Sequence, residues 1–390
     1  MLRLAALLGV AALSVDAKVF MSETFDEGWR DRWTVPTQWK SESELGEWGW
    51  TAGEYYPTTE DDKGIQTSQD ARFYGLSAPL TETFSNEGKD LVIGYTVKHE
   101  QRIDCGGAYI KLLGDMDQDS FGGPTPYQIM FGPDICGTSS SERRTHLIFY
   151  YPPKDDNLLV NENIRVESDV YTHVYMLHIK PDNTFTVYID DKSVRDGSLE
   201  DSHDFLPDRE IPDPEVSKPE DWVDEEMMDD PEDAKPDGWD DIPKEIPDPD
   251  AAMPDDWDED EDGEWEPPLI DNPEYKGEWT PKRIPNPDYK GPWEHPKIPN
   301  PDFDEAAAEK LHARCDGCAY VGFELWQVKS GTIFDSIIVS DDLEEARAFL
   351  KPKLDGLQAE KDMKKEQDDA KRAKEAEEAE EEEEEEEEDE

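Results

Sequence analysis

A proline-rich segment in the second half of the chain is the feature that most restricts how this protein can fold. Of 30 prolines in 390 residues, 20 lie between residues 206 and 303. Proline lacks a backbone N–H and fixes φ, so this segment can form neither long helices nor central strands. Because it also holds six of the 12 tryptophans, we expect residues 206–303 to be a separate, ordered arm.

Two families of repeats, with three copies of each, organise this arm. Copies of the first family end at Trp222, Trp239 and Trp257. Copies of the second family contain Trp265, Trp279 and Trp293, and these tryptophans are 14 residues apart. Since repeat units contact mainly their neighbours, we predict a long hairpin that turns near residues 258–263. Each outgoing repeat would then meet a returning one. The alternative is a disordered Pro/Asp linker, which does not need regular Trp and Ile spacing.

The segments on either side of the arm alternate in the manner of antiparallel strands. Strand candidates before the arm are Leu91–Glu100, Ala108–Leu113, Thr145–Tyr151 and a hairpin that turns at residues 181–184. Residues 319–328 and 331–340 resume this pattern after the arm but are too few for a domain of their own. We therefore expect residues 18–205 and 304–340 to form one mainly β sandwich of two sheets, into which the arm is inserted.

Acidic residues dominate the charge. The chain has 99 acidic and 39 basic residues, for a net charge of −60, so it should repel nucleic acids and attract cations or basic partners. From Asp341 the sequence predicts a helix interrupted at Pro352, which leads into residues 377–390, where 13 of 14 are acidic. We expect this tail to bind Ca²⁺ weakly, on the order of millimolar, at many sites. Glu381, Glu384 and Glu387 are representative tail ligands.

The N terminus has the features of a secretory signal peptide over residues 1–17. Arg3 precedes the apolar run Leu4–Leu13, and small residues follow at Val15–Ala17. This run is shorter than the roughly 18 apolar residues that a membrane helix needs. We therefore expect secretion into an oxidising compartment and no membrane insertion.

Four cysteines fit such a compartment and allow three pairings. The simplest joins Cys105 to Cys136 and leaves Cys315 with Cys318. The Cys315–Cys318 motif has two interpretations: a redox centre, or a structural bridge or spare thiols. The second is favoured, because no thioredoxin-like βαβ pattern surrounds the motif and Asp316 opposes thiolate formation.

Several long motifs are similar to those of the calreticulin/calnexin family, and particularly of its soluble members. They are Lys98–Leu112 (KHEQRIDCGGAYIKL), Ile129–Gly137, Leu325–Asp335, Ile65–Ala78 and both repeat families. The resemblance implies a jelly-roll, legume-lectin-like sandwich in a monomeric, calcium-dependent lectin chaperone of the endoplasmic reticulum. It also implies binding of monoglucosylated high-mannose glycans on folding glycoproteins. A thiol-disulfide isomerase would dock at the arm's tip.

The resemblance also assigns residues to sites. The carbohydrate site comprises Tyr109, Lys111, Tyr127, Met130, Asp134, Glu324 and Trp326. One ordered Ca²⁺ site would use the Asp335 carboxylate with backbone oxygens near Thr24, Asp61 and Lys63. The docking tip comprises Asp260, Asp262, Glu264 and Trp265. The family also contains the bridge between Cys105 and Cys136.

The carbohydrate assignment has a partial basis in the strand pattern itself. Tyr109 and Lys111 are two residues apart, as are Glu324 and Trp326, so each pair points to one side of a sheet. Alone, this alternation is typical of an ordinary sheet face. The chain departs from the family at Glu324, where the family has Asp, and the additional methylene moves the carboxylate by about 1.5 Å, enough to change a hydrogen bond. Ala108 replaces a family glycine, and the seven histidines are scattered and interpreted as structural.

Two other functions are alternatives to a lectin. A calcium-storage protein would explain the acidic tail but not the sandwich or the repeats. A retaining glycosidase needs two carboxyl groups about 5–5.5 Å apart, and no strand carries an E-x-D-x-E pattern, so we predict that the protein is not an enzyme. The family usually ends in a Lys-Asp-Glu-Leu-type retention signal, whereas this chain ends in EEDE. Secretion is therefore the alternative to retention.

Overall fold

The computed structural model describes residues 17–139, 142–254, 257 and 263–388, with side chains up to residue 381. Residues 1–16 of the predicted signal peptide, most of the predicted arm turn, and Asp260 and Asp262 lie outside the described residues. The chain divides into two compact units. One contains the residues up to Pro207 and from Asp302 onward, and the other is Asp208–Pro301.

Two antiparallel sheets build the first unit, in agreement with the predicted mainly β sandwich. Sheet 1 contains β1 (Val19–Glu23), β2 (Trp48–Thr51), β3 (Gly64–Thr67), β5 (Leu91–His99), β11 (Thr172–Ile179), β12 (Thr184–Ile189), β13 (Lys192–Ser198) and β21 (Thr332–Ser340). Sheet 2 contains β4 (Arg72–Ser85), β6 (Cys105–Gly107), β7 (Ile110–Leu113), β8 (Ile129–Cys136), β9 (Arg143–Tyr151), β10 (Asp156–Leu159) and β20 (Asp316–Gln327). Among the described residues, the α-helices are α1 (Leu199–Ser202), α2 (Glu305–Ala308) and α3 (Leu343–Glu388).

The main core lies between these two sheets and follows from the period of two in each strand. Ile110 and Leu112 of β7 are buried in it, as are Phe323 and Leu325 of β20, while the residues between them point to the other face. Full burial of each such side chain contributes roughly 1.5–3 kcal/mol. Tyr95 of β5 also donates its hydroxyl to the carbonyl of Ala108 at 2.8 Å, so a buried hydrogen bond links the two sheets.

Strands from both sides of the arm complete each sheet, as predicted. In sheet 2, β20 pairs with β4 from Asp316↔Ser85 to Gln327↔Arg72. In sheet 1, β21 pairs with β5, with Thr332 opposite His99. The arm is therefore an insertion within the sandwich sequence.

The second unit contains short strands that pair in nested order. The pairs are β14 (Glu210–Pro212) with β19 (Lys297–Pro299), β15 (Met227–Asp229) with β18 (Arg283–Pro285), and β16 (Glu245–Pro247) with β17 (Leu269–Asp271). The first outgoing segment thus meets the last returning one. This confirms the predicted hairpin and excludes the disordered linker. Proline is the last residue of four of these six strands, β14, β16, β18 and β19, where a missing N–H is tolerated.

A repeated hydrogen bond closes each pair of repeats. The indole N–H groups donate to glycine carbonyls at 2.8–2.9 Å, joining Trp222 to Gly291, Trp239 to Gly277 and Trp257 to Gly263. The three glycines have φ between +84° and +88°, a region in which other residues are strained. We call each of these indole–carbonyl hydrogen bonds a clasp. The sequence repeats Trp and Gly because each clasp needs one residue of each type.

Helix α3 continues through Pro352, so the predicted interruption there is wrong. Proline removes one helical hydrogen bond and disfavours helical geometry in the preceding residue. Packing on both sides outweighs this effect: Leu350 is fully buried against sheet 1. A Cβ atom on Gly356 would lie 1.7 Å from the Pro57 carbonyl oxygen, so the helix passes very close to this loop. Within the described part of the chain, no helix is both long and apolar enough to cross a membrane.

The clasps predict a local effect of Trp239→Phe, which keeps an aromatic ring but removes the donor to Gly277. We expect the arm's free energy of unfolding to fall by about 1 kcal/mol, the net value of one hydrogen bond. Hydrogen exchange measured by mass spectrometry should accelerate at Asp230, whose amide donates to Lys282. It should remain unchanged at Asp213, whose amide donates to Pro296 in the outermost pair. Equal acceleration at both amides would contradict independent clasps.

Candidate functional site

The face of sheet 2 that points away from the core gathers the side chains predicted to bind carbohydrate. Lys111 of β7 lies between Met130 of β8 and Gly322 of β20, its partners in the strand register. Glu324 follows two residues after Gly322 and therefore shares its face. Asp134 lies opposite Gly107. Residues far apart in sequence thus meet on one surface.

A charged pair occupies the middle of this face. The Nζ atom of Lys111 lies 2.8 Å from Oε2 of Glu324, and the two side chains are only 5% and 14% exposed. The ammonium also lies 4.8 Å from the ring centre of Tyr127 and 5.9 Å from that of Tyr109. Aromatic rings attract cations at these distances. The pair is therefore held in place, yet its remaining N–H groups and oxygen lone pairs can still bind a ligand.

Tyr109, His146 and Asp134 form a second polar group on the face. The rings of Tyr109 and His146 stack with centroids 6.3 Å apart, and His146 Nε2 lies 3.7 Å from Asp134 Oδ2. Burial, with the nearby Glu324 and Asp134 carboxylates, raises the pKa of Tyr109, so the phenol stays protonated as a hydrogen-bond donor. Burial lowers the pKa of His146 to about 4, assisted by Arg144. At neutral pH the imidazole is uncharged.

Sequence reasoning missed His146 as a member of this face, because a single histidine carries no motif. It lies opposite Gly132 in the pairing of β8 with β9. The alternation along β9 was the available signal, since Leu147 and Phe149 point into the core and are fully buried. His146 therefore points to the face that carries Tyr109.

Two glycines allow the close packing behind Tyr109. A Cβ atom on Gly107 would lie 2.6 Å from the Tyr109 ring, and one on Gly106 would lie 3.0 Å from Gln327. The fully buried Gln327 donates to the Gly107 carbonyl at 2.8 Å. A larger residue at position 107 would displace the tyrosine ring.

Two disulfides are present, Cys105–Cys136 and Cys315–Cys318. The first joins β6 to β8 beside the polar face, where Cys105 and Cys136 are also register partners. The second closes the motif at the start of β20, and both of its cysteines are buried. Burial is consistent with a structural bridge.

Exposed aromatic surface borders the polar groups. Trp326 is 38% exposed, and its ring centre lies 4.7 Å from that of Phe73. Tyr127 is also a neighbour of the charged pair, and burial raises its pKa to about 12, helped by Glu324. A sugar ring has hydroxyl groups and apolar C–H faces. A surface with fixed polar groups beside exposed aromatic rings is suited to both.

The predicted Ca²⁺ ligand Asp335 forms an ion pair with a lysine. Its Oδ2 atom lies 2.6 Å from Lys353 Nζ, which also lies 2.7 Å from Asp62 Oδ2. Burial raises the pKa of Asp335 to about 6 although Lys353 opposes the shift. A carboxylate engaged by an ammonium does not fit a Ca²⁺ ligand set in this arrangement. Among the described residues, no group of three or more His, Cys, Asp or Glu side chains is placed to hold a metal.

The other predicted site residues belong to other segments of the chain. Glu264 is exposed and Trp265 half-buried, shortly before β17, where Leu269 is 61% exposed. Asp260 and Asp262 fall outside the described residues. Glu381 is exposed near the end of α3, whereas the side chains of Glu384 and Glu387 are not among those described. Thr24 follows β1, and Asp61 and Lys63 precede β3.

Comparisons with known proteins agree on one family. A model described as "Calreticulin family" matches residues 21–263 and 261–339. Calreticulin of Bombyx mori is 57% identical over 364 residues, covering 92% of this chain and 88% of the relative. Calreticulin of Chlamydomonas reinhardtii is 55% identical over 348 residues, covering 88% and 81%. The solved "T. cruzi calreticulin globular domain" is similar with a TM-score of 0.59 and 30% identity, covering 89% of this chain and 100% of that one.

The buried, neutral His146 predicts a pH dependence of stability. Its pKa of about 4 in the folded protein lies below the value of about 6.5 for an unfolded chain. The unfolded state thus binds the extra proton first, so this contribution is complete above pH ~6.5 and is lost as the pH falls toward about 4. In chemical denaturation, the free energy of unfolding should fall less steeply with decreasing pH in His146→Gln than in the wild type. The difference in slope should be up to about 1.4 kcal/mol per pH unit. If the unfolding free energies of the wild type and His146→Gln changed in parallel with pH, His146 would not be the source of this dependence.

Proposed function

The chain belongs to the calreticulin family, and we propose that it acts as a lectin chaperone for monoglucosylated high-mannose glycans on folding glycoproteins. Its mainly β sandwich is the fold of a binding module, and the family acts by binding rather than by catalysis. We place the protein in the lumen of the endoplasmic reticulum as a monomer. Folding glycoproteins carry such glycans in that compartment.

One observation carries the glycan proposal, namely the ion pair of Lys111 and Glu324, whose ammonium lies near the rings of Tyr109 and Tyr127. The pair is desolvated and held at 2.8 Å, so hydrogen bonds from it to sugar hydroxyls are charge-assisted and contribute about 1.5–3 kcal/mol each. Tyr109 adds a protonated phenol. Such a site disfavours a glycan that lacks the terminal glucose, because the buried polar groups would lose their partners.

Calorimetric titration with a monoglucosylated oligomannoside and its unglucosylated counterpart tests this proposal. We expect binding of the glucosylated glycan only. Tyr109→Phe should weaken it about 10-fold, equivalent to about 1.4 kcal/mol for one hydrogen bond, and Tyr109→Ala should weaken it further. Tyr188→Phe, on β12 of the other sheet, is the matched control and should change nothing. Equal affinity for both glycans would rule out glucose-dependent recognition.

We further propose that the arm recruits a thiol-disulfide isomerase through its predicted tip. Glu264 and Trp265 shortly precede the exposed Leu269 and Ile270 of β17 in the sequence, so this segment carries both acidic and apolar groups. This combination suits a basic and partly apolar partner surface. The isomerase would then act on clients that the sandwich has bound.

The repeats provide an internal control for this docking. Trp265→Ala should weaken isomerase binding by roughly 10-fold or more, as expected when a central aromatic anchor is removed. Trp279→Ala changes the same position of the next repeat and should have little effect. Surface plasmon resonance at two salt concentrations would measure both affinities. Equal losses for the two variants would indicate general disruption of the arm and contradict a docking site at the tip.

A calcium-buffering role is the second function, favoured by the acidic run that ends α3. Its carboxylates, among them that of the exposed Glu381, would bind Ca²⁺ weakly, on the order of millimolar, but in number. Equilibrium dialysis would count these ions. An unchanged count after removal of residues 377–390 would contradict the role. Should the glycan titration fail, storage would be the chief function.

A further inference from the structure

A lysine ammonium lies between two carboxylates in the interior of the first unit. Lys353 of α3 is only 6% exposed, and Asp335 of β21 is 4% exposed. The ammonium is 2.6 Å from Asp335 Oδ2 and 2.7 Å from Asp62 Oδ2. The other oxygen of Asp335 accepts the backbone N–H of Ser336 at 2.6 Å. One oxygen of Asp335 therefore accepts a backbone hydrogen bond. The other has the Lys353 ammonium as its ionic partner, although it accepts no well-aligned hydrogen bond.

The docking of α3 fixes the position of this ammonium. Leu350 and Gly356 lie three residues before and after Lys353, hence on the same side of the helix. Leu350 is fully buried, and Gly356 passes so close to Pro57 that no Cβ atom would fit. The backbone of Lys353 is thus held between two fixed contacts, which keeps its ammonium within reach of Asp335.

A second ionic contact, in which the helix supplies the anion, supports the same position of α3 on sheet 1. Glu360 lies seven residues after Lys353 on the same helix face and is fully buried. It accepts the backbone N–H of Thr172 at 2.9 Å and the Thr172 hydroxyl at 2.8 Å, and it lies 3.3 Å from Lys98 Nζ. Along the helix, Lys353 therefore pairs with Asp335 of sheet 1, and Glu360 pairs with Lys98 of the same sheet.

This arrangement disagrees with a Ca²⁺ ion held by Asp335 and backbone oxygens near Thr24, Asp61 and Lys63. Calcium needs six to eight oxygen ligands, and the Asp335 carboxylate is its one charged ligand in that set. A divalent cation and an ammonium sharing this carboxylate would repel each other at short range in a poorly hydrated site. Only one of the two cations can occupy it.

We propose that Lys353 takes the place of a metal ion at Asp335, so that this sandwich is stable without an ordered Ca²⁺. The ammonium is a cation built into the chain, and its local concentration does not depend on the calcium level of the compartment. The proposal is independent of glycan binding and of weak calcium binding by the acidic tail. It implies that removal of Lys353 leaves the buried Asp335 carboxylate and the partly exposed Asp62 carboxylate for a divalent cation to bridge.

Thermal unfolding of the full-length chain with EDTA or about 1 mM CaCl₂ tests this inference, because a ligand that binds only the folded state raises Tm. The wild-type Tm should differ by less than about 1 °C between the two conditions. Lys353→Met should have a lower Tm in EDTA and regain several degrees with calcium. Lys351→Met removes the same charge from an exposed position and should behave as the wild type. The acidic tail is identical in all three proteins, so calcium binding at its weak sites contributes equally to each change in Tm.

Two results would overturn the inference. One is a calcium-induced rise in the wild-type Tm as large as that of Lys353→Met, since the ion would then bind despite the lysine. The other is a Lys353→Met protein that folds but does not respond to calcium, since Lys353 would then not be what excludes the ion.

A measurement on the wild type alone keeps the test decisive if the variant does not fold. Mass spectrometry would follow acetylation of lysines by a soluble anhydride, with the exposed Lys351 as internal reference. Lys353 should react much more slowly than Lys351, at the same rate with EDTA or calcium. A calcium-induced acceleration at Lys353 beyond about twofold would show that the ion displaces the ammonium, and the proposal would be wrong.

Discussion

The pairing of β20 with β4 and of β21 with β5 is the constraint on which the rest of the first unit depends. It joins residues far apart in sequence: Thr96 donates its hydroxyl to the Asp335 carbonyl across 239 positions. The entropic cost of closing such a loop grows only slowly with its length, by about 0.6 kcal/mol per doubling. In the arm, Ile211 pairs with Ile298, so the two ends of the insertion are themselves adjacent. A long insertion is therefore compatible with one closed sandwich.

The candidate site depends on the same closure. Lys111 precedes the arm and Glu324 follows it, so their ion pair forms only when β7 and β20 are side by side. Helix α3 depends on it as well, because Lys353 meets Asp335 on β21. Its complementary charges, together with the apolar contacts of Leu350, make the docked position specific. The candidate face on sheet 2 and the docking of α3 on sheet 1 thus depend on the same strand pairings.

Local periodicity predicted much of this structure. Alternation placed Tyr109 with Lys111 and predicted the sandwich, while the Trp spacing predicted the paired repeats. Where the sequence failed, long-range contacts decided the outcome. The helix continues through Pro352 because packing outweighs a local preference. The ion pair of Lys353 and Asp335 has no signature in sequence, since Lys353 lies in a polar helical stretch and the family resemblance assigned Asp335 to Ca²⁺.

Titration of isotopically labelled protein with a monoglucosylated oligomannoside, followed by NMR, tests most directly whether the sandwich face binds the glycan. The indole N–H of Trp326 and the methyl group of Met130 report on the face, and the indole of Trp239 reports on the arm. We predict saturable shifts of the first two signals and none for Trp239, with no response to the unglucosylated glycan. Shifts confined to the arm, or an unperturbed Trp326 at saturation, would contradict the account.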